Sequence, residues 1–371
     1  MERGMAQRHG YSDQGGVLVN KSGDGIDLDT IWAEIAGANE AYNAAQQALV
    51  NLLTFKTTTP GDAVPQAAGL PNFEPASEYG VPQSIRQGGA LPVGYTLDDF
   101  DLRVGWTWKF LRAATAAQIK DLANTAMASD MRNLTATVLN RLLSNVTGAN
   151  ENGTPVYGLY SADGMVPPSH MGTDFDGNHQ HYLVSGATAY DSDDLEAQLH
   201  HIAEHGYGLD VGTKIIVLCN PNEADVISSF RAGQSNNNSK VAKHSFIPSA
   251  AAPPYLTTET LVGERAPENL GGVPIVGSYG RAWIAETRLM PSGYVAAVAV
   301  GVGGPGGNVI GFRQHPDASY QGLRLIPGAG TYPIENAFYQ RTFGVGVRHR
   351  GAACVMQIKA SGTYDAPTVS V

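Results

Sequence analysis

Residues 201–205, His201-Ile202-Ala203-Glu204-His205, have the spacing of a zinc-protease signature. Histidines at i and i+4 share one helix face and can chelate one ion, while the glutamate takes a proton from bound water. Gly206 argues against that chemistry. It reads as the residue just past a helix C-terminus, which puts His205 on the last, fraying turn. A histidine there has a plainer role, complementing the helix dipole. A third ligand would have to come from a distant acid, Glu264 or Glu268. His179 and His181 flank Gln180 and would share one face of a strand. With His200 they offer imidazoles to a metal, although an exposed polar face is the commoner outcome. Asp174, Asp176 and Asn178 begin like a calcium loop. The sixth position is His179 where glycine is needed, and the twelfth is Ser185 where glutamate is needed, so a turn is expected. The glycine-rich run 301–307 lacks the Lys-Ser/Thr of a phosphate loop, and Pro305 removes a donor. With no G-x-S-x-G elbow present, the sequence reads as a non-enzyme, with no catalytic residue, cofactor or metal expected.

The elements that would carry these groups are legible in part. Phe100, Leu102, Val104, Trp106, Trp108 and Phe110 alternate with Asp101, Arg103, Gly105, Thr107 and Lys109, the period of a strand with one apolar face. Ile119, Leu122, Ala126, Met131, Leu134, Val138 and Leu142 then recur at steps of three to five, and residues 113–145 hold no Pro or Gly. A helix of about 33 residues would be about 50 Å long. That rod suits a flat, elongated subunit that tiles against others better than a compact globule. Residues 1–26 read as an arm, and 27–53 as a helix opened by Asp27 and Asp29. Residues 54–58 are expected to pair with the alternating strand. The excursion 59–94 is rich in Pro and Gly, a length that is usually functional or ordered by a partner. Residues 148–180 read as loops. A helix is expected over 191–205, opened by Asp191 or Ser192, and another over 221–230 with Pro221 in its first turn. Strands are expected near 214–218, 273–278, 281–286, 294–300, 341–349 and 352–359. This order is α+β rather than alternating βαβ.

Composition limits the function. Hydrophobic residues make up 43% of the 371, but charged residues only 16%, against about 25% in a typical soluble domain. The deficit predicts that much of the surface lies against neighbouring copies. A net charge of −10 argues against tight nonspecific DNA binding, which needs concentrated positive charge, but not against the enclosing of nucleic acid. Cys219 and Cys354 sit beside apolar runs and read as buried free thiols. The N-terminus has no apolar signal core, and the longest apolar run, 294–302, is far short of the about 20 residues of a membrane span. The chain reads as cytosolic, with no membrane partner. Arg341, Arg348, His349 and Arg350 form the densest basic cluster, expected to be a solvated strand or an intersubunit ion pair.

Three strings carry a resemblance: Leu270-Gly271-Gly272-Val273-Pro274-Ile275-Val276, Met290-Pro291-Ser292-Gly293-Tyr294, and the stretch 342–353, TFGVGVRHRGAA. With the order of arm, helix, long excursion, long helix, mixed middle and returning strands, they resemble the major capsid proteins of tailed bacteriophages, of the Hong Kong 97-like fold, over nearly the whole chain. The resemblance implies an N-terminal arm at 1–53, an extended loop at 54–110 and a peripheral domain with a spine helix at 111–184. It implies an axial domain at 185–335 and peripheral return strands at 336–371. It implies pentamers and hexamers closing into an icosahedral shell around double-stranded DNA, assembled in the host cytoplasm. Phe100, Leu102, Trp106, Trp108 and Arg86 are the expected intersubunit contacts, since an aromatic strand needs a neighbour to cover it. Only about 26 residues precede the first expected helix, so a separate scaffold protein or none is expected, with a portal and cement proteins as further partners. Some relatives weld subunits through a Lys–Asn isopeptide near the loop tip. Between Lys56 and Lys109 there is no Lys, only Arg86 and Arg103, so a non-covalent shell is expected. The alternatives are an encapsulin-type bacterial compartment, and a zinc hydrolase using His201, Glu204 and His205.

Overall fold

The alternating segment is a strand only as far as Thr107. In the computed structural model, which describes residues 19–45, 47–65, 75, 78–80, 90–209, 213–251, 265–302, 307–328 and 334–369, the strand is Asp98–Thr107. There Thr107 Oγ1 accepts from the Phe110 amide at 3.1 Å and caps a short helix, Trp108–Ala113. Trp108 and Phe110, expected on the strand, are helical. A second cap follows at once. Thr115 and Gln118 exchange hydrogen bonds, Thr115 N to Gln118 Oε1 at 2.9 Å and Gln118 N to Thr115 Oγ1 at 3.4 Å, a capping box. Asp24 accepts from the Ala116 amide at 3.1 Å. The long helix is therefore Ala116–Leu143, 28 residues and about 42 Å, and the preceding turn is cut off as a separate piece. The helix expected over 27–53 is likewise two, Leu28–Ala44 and Ala48–Leu53. No Pro or Gly stands between them.

The described residues fall into two compact units. The first comprises Met1–Gln47, Asp98–Asn133 and His315–Phe343. In it, Asp98–Thr107 pairs antiparallel with the strand Ile334–Val347, which on its other side pairs with Arg324–Pro327. The core joins Trp106 to Ile31, Ile35, Leu111, Ile119, Ala123, Met127, Ala337 and Tyr339. Each fully buried large apolar side chain contributes about 1.5–3 kcal/mol. The buried stripe of the long helix here is Ala116, Ile119, Ala123, Ala126 and Met127, spaced three and four apart. Leu122 and Met131, read from sequence as part of the apolar repeat, lie off it, 37% and 47% exposed.

A polar node sits inside this unit. Arg341 clasps Asp130, Nε to Oδ1 at 2.8 Å and Nη2 to Oδ2 at 2.7 Å, with both residues buried. Tyr42 donates to the same carboxylate at 2.8 Å, and Asn43 exchanges two 2.8 Å bonds with the Leu323 backbone. Hydrogen bonds on every side keep the buried pair from costing its full desolvation.

The second unit comprises Ala48–Leu97, Leu134–Gln314 and Gly344–Val371. Its seven-stranded sheet runs in the order Tyr182–Val184, Ala353–Gln357, Tyr294–Val300, Lys214–Cys219, Ala282–Glu286, Gly277–Tyr279, Phe246–Pro248. Two pairings are parallel and the rest antiparallel. The central strands are apolar on both faces, as strands covered on both sides must be. The helix Ser192–Glu204 opens with a capping box between Asp191 and Asp194. From its buried middle Gln198 donates to Val295 O and Cys354 O at 2.9 and 3.0 Å. Asn220 caps the helix Pro221–Ser228. Cys219 and Cys354 are buried free thiols, and burial pushes both well up from the ordinary thiol range.

Residues 54–58 do not pair with the alternating strand. Thr54–Thr57 runs parallel to Ile310–Gln314, a partner some 250 residues away that no local pattern announces. Inside the excursion, Gly61–Pro65 and Ala90–Gly94 form an antiparallel pair. Thr96 O presses so closely on Gly344 that a Cβ there would sit 2.0 Å away, so only glycine fits. The basic cluster is internal: Arg341 pairs with Asp130, Arg348 lies 3.5 Å from Asp62, and Arg350 pairs with Asp163. No helix among the described residues is long and apolar enough to cross a membrane.

Removing the acid of the central node leaves Arg341 buried without its counter-charge. Asp130→Ala is expected to lower unfolding stability by about 3–5 kcal/mol, read as a lower urea midpoint. Asp130→Leu with Arg341→Met should recover most of the loss, because a matched apolar pair leaves no orphaned charge.

Candidate functional site

Two places hold the residues singled out from sequence. The first is the inward face of Asp98–Thr107. In an antiparallel pair, opposed residues share a face. Phe100 opposes Arg341, Leu102 opposes Tyr339, Val104 opposes Ala337 and Trp106 opposes Glu335. Cover along this face is uneven. Trp106 is 6% exposed, Val104 and Phe100 are half-buried, and Leu102 is 41% exposed. Phe100 lies against Phe343 with ring centroids 4.9 Å apart. The expectation that Trp106 waits for a neighbouring subunit is corrected: Ile31, Ile35, Leu111 and Ile119 of its own unit bury it. Trp108 is half-buried in the first turn of its helix. Arg86 lies outside the described residues, as does Glu264. On the opposite face Arg103, Phe338 and Ile326 are in register, and Phe338 and Ile326 are each 37% exposed. Among the described residues, the exposed apolar surface of this sheet therefore has two parts, a gap in the inward face at Leu102 and the outer pair Phe338 and Ile326.

The second place is a histidine cluster in the other unit. His205 is the C-cap of Ser192–Glu204, with Gly206 after it at φ +83°, the left-handed turn that ends the helix. This conformation carries the His205 ring off the helix, where it stacks on Phe175 (4.3 Å, 17°) and Tyr160 (5.8 Å, 22°). His179 and His181 arrive from the loop before Tyr182. That loop is held by His181 N donating to Tyr160 O at 2.7 Å and Ala162 N to His179 O at 3.1 Å. Arg350 braces it from below, donating to Gly158 O at 2.9 Å and Leu159 O at 3.0 Å and pairing with Asp163.

The three Nε2 atoms converge. His179 to His181 and His179 to His205 are each 3.0 Å, and His181 to His205 is 2.9 Å. Burial first, then the neighbouring rings, hold His181 well below the usual imidazole range and His205 at about 3; burial lowers His179 too. All three shifts favour the neutral ring.

Sequence spacing pointed to other partners. His200, expected beside His179 and His181, is an exposed side chain 2.9 Å from Glu204. In place of an i, i+4 chelate of His201 and His205, the fold draws His205 to the loop histidines and groups His201 with Glu204 and His179. The protease reading loses its ligand pair. The Asp174–Asn178 region is a turn, as expected, with Asn178 N donating to Asp176 Oδ1 at 2.9 Å.

No described protein family and no curated protein matches the sequence. Solved structures do. A chain of Mycobacterium phage Patience is 38% identical over 95% of this chain and 94% of its own, with a TM-score of 0.74. The capsid of an empty GTA particle shares the fold at 13% identity and a TM-score of 0.51, over 84% of this chain and 89% of that one. A holo-SrpI encapsulin complex from Synechococcus elongatus PCC 7942 stands at 14% identity and a TM-score of 0.46, over 89% and 97%.

Because Trp106 is buried within its own unit, Trp106→Ala should destabilise the unassembled chain itself, by about 3–5 kcal/mol. Urea unfolding below the assembly concentration measures it. An unchanged midpoint would return Trp106 to the subunit surface.

Proposed function

The chain belongs to the major capsid proteins of tailed bacteriophages, with the Hong Kong 97-like fold, and on that premise we propose how its surfaces build the shell. It is a structural protein of the virion capsid and assembles into multimeric icosahedral shells. We propose that the working units are pentamers and hexamers, that the shell closes around double-stranded DNA, and that assembly occurs in the host cytoplasm with a portal, a separate scaffold protein and cement proteins.

The observation that carries the reading of contacts is the uneven cover on Asp98–Thr107. Its own unit completes the face at Trp106 and leaves it open at Leu102. A neighbouring subunit that covers Leu102 and Phe100 completes the apolar surface. The exposed Leu122 and Met131 of the long helix, and Phe338 and Ile326 on the outer sheet face, supply further apolar area of the same kind. The low charge of the sequence supports extensive contacts, since the centres of such interfaces are poor in charged residues. The acidic balance, −10, supports an inner wall that contains DNA without gripping it.

The division into capsid parts is proposed on the same basis. The hairpin Gly61–Pro65 with Ala90–Gly94 supports an extended loop within 54–110. The strand Asp98–Thr107 groups with the first unit rather than with that hairpin, which shortens the loop at its C-terminal end. The helix Ala116–Leu143 supports the spine of the peripheral part, and the seven-stranded sheet, five of whose strands lie between 185 and 335, supports the axial part.

Leu102→Asp should leave the isolated chain folded and raise the concentration needed for assembly by about tenfold or more, the effect of losing an anchor in an interface. Light scattering with negative-stain imaging reads it, and normal assembly would remove Leu102 from the contact. Since no Lys lies between Lys56 and Lys109, mature particles should run on denaturing gels as a single band at the 39.1 kDa of the chain. A ladder of multimers would contradict a non-covalent shell.

A further inference from the structure

We infer that His179, His181 and His205 bind a structural divalent transition-metal ion, zinc by preference, which ties the loop of residues 157–181 to the C-terminal end of the helix Ser192–Glu204.

Hydrogen bonding alone does not account for the geometry. A neutral imidazole has one N–H and one lone pair in the ring plane. His181 Nδ1 lies 2.6 Å from Ala353 O, so its proton is on Nδ1 and its Nε2 presents only a lone pair. Three mutual contacts of 2.9–3.0 Å then have at most two protons, on His179 and His205. If both carry a proton on Nε2, those two N–H groups face each other. If one does, two lone pairs face each other. If neither does, all three contacts are repulsive. Protonation of a ring is disfavoured by the burial of the site. Every arrangement leaves at least one pair of nitrogens in conflict, in a place where a buried polar group without a partner is costly.

A single cation resolves all three contacts at once. An ion about 2.1 Å from each nitrogen, the usual zinc–imidazole distance, would sit about 1.2 Å out of the plane of the three Nε2 atoms and leave one side open. The carboxylate of Glu204 lies within 4.8 Å of a His179 nitrogen, so it or a water can take the fourth position. Three imidazoles, with a carboxylate or water, select zinc or a neighbour in the first row over calcium and magnesium, which want oxygen ligands. The surroundings fit a structural site. The His181 Nδ1–H bond to Ala353 O fixes the tautomer that exposes Nε2, as the outer partner of a metal-bound histidine does. Phe175 and Tyr160 fix the His205 ring by stacking.

The site joins elements distant in sequence: the ligands are 24 and 26 residues apart across the loop and helix. Between 148 and 181 the chain has only two-residue strands, and one ion held at three points would fix what regular structure does not.

The test uses the untagged full-length chain. Metal content is measured by mass spectrometry after dialysis without chelator. Cobalt is then added to the chelator-stripped chain and its visible spectrum recorded, and melting temperature is compared with and without zinc. About one zinc per chain is expected, with the intense visible bands of low-coordinate cobalt and a melting temperature about 5 °C higher with zinc. His179→Gln, at the partly exposed edge of the cluster, should keep the circular dichroism spectrum and lose the metal, the cobalt bands and the zinc-induced shift. The inference is overturned if the wild-type chain binds neither zinc nor cobalt and its melting temperature ignores both, or if His179→Gln binds zinc as well as wild type.

Discussion

The pairing of Arg341 with Asp130 is the constraint on which the first unit depends. Both groups are buried, and neither is tolerable there without the other. Meeting that requirement fixes the long helix against the strand Ile334–Val347. The Tyr42 hydroxyl on the same carboxylate adds the helix Leu28–Ala44, and Asn43 adds the backbone at Leu323. The strand Asp98–Thr107 then has an edge to pair with and a floor for Trp106. Apolar packing supplies most of the stability, but it does not select one register from several. A directional polar node does.

The same economy of charge shapes the exterior. Charged residues are scarce, and Asp130, Arg313, Arg341 and Arg350 are all buried. The exterior is drawn from a composition that is only 16% charged. For a monomer this would invite precipitation; for a capsid subunit it lowers the desolvation cost of laying one copy against the next.

The parts legible in the sequence were those written in short-range patterns. The alternation over 100–106, the acidic cap at Asp191, Pro221 in a first turn and Gly206 past a helix end all act within one turn or one strand, and each holds in the structure. Two threonine caps, Thr107 and Thr115, were equally local and were outweighed by the unbroken apolar run around them; the Thr115-x-x-Gln118 box was the readable signal. Partners across the fold were not legible. Nothing near Thr54 points to Ile310, and nothing in 201–205 says that His205 turns from His201 to rings two dozen residues upstream. Trp106 shows the limit of reading an aromatic strand as an interface: alternation reveals that a face is buried, not which chain buries it.

The position of Ala353–Gln357 has a consequence for timing. This strand lies inside the seven-stranded sheet, bonded to Tyr294–Val300 on one side and Tyr182–Val184 on the other, yet it is the last of the seven in chain order. The sheet cannot close until that last strand has been made, and pairings so distant in sequence form slowly even then. A nascent chain therefore has no complete subunit to offer a growing shell.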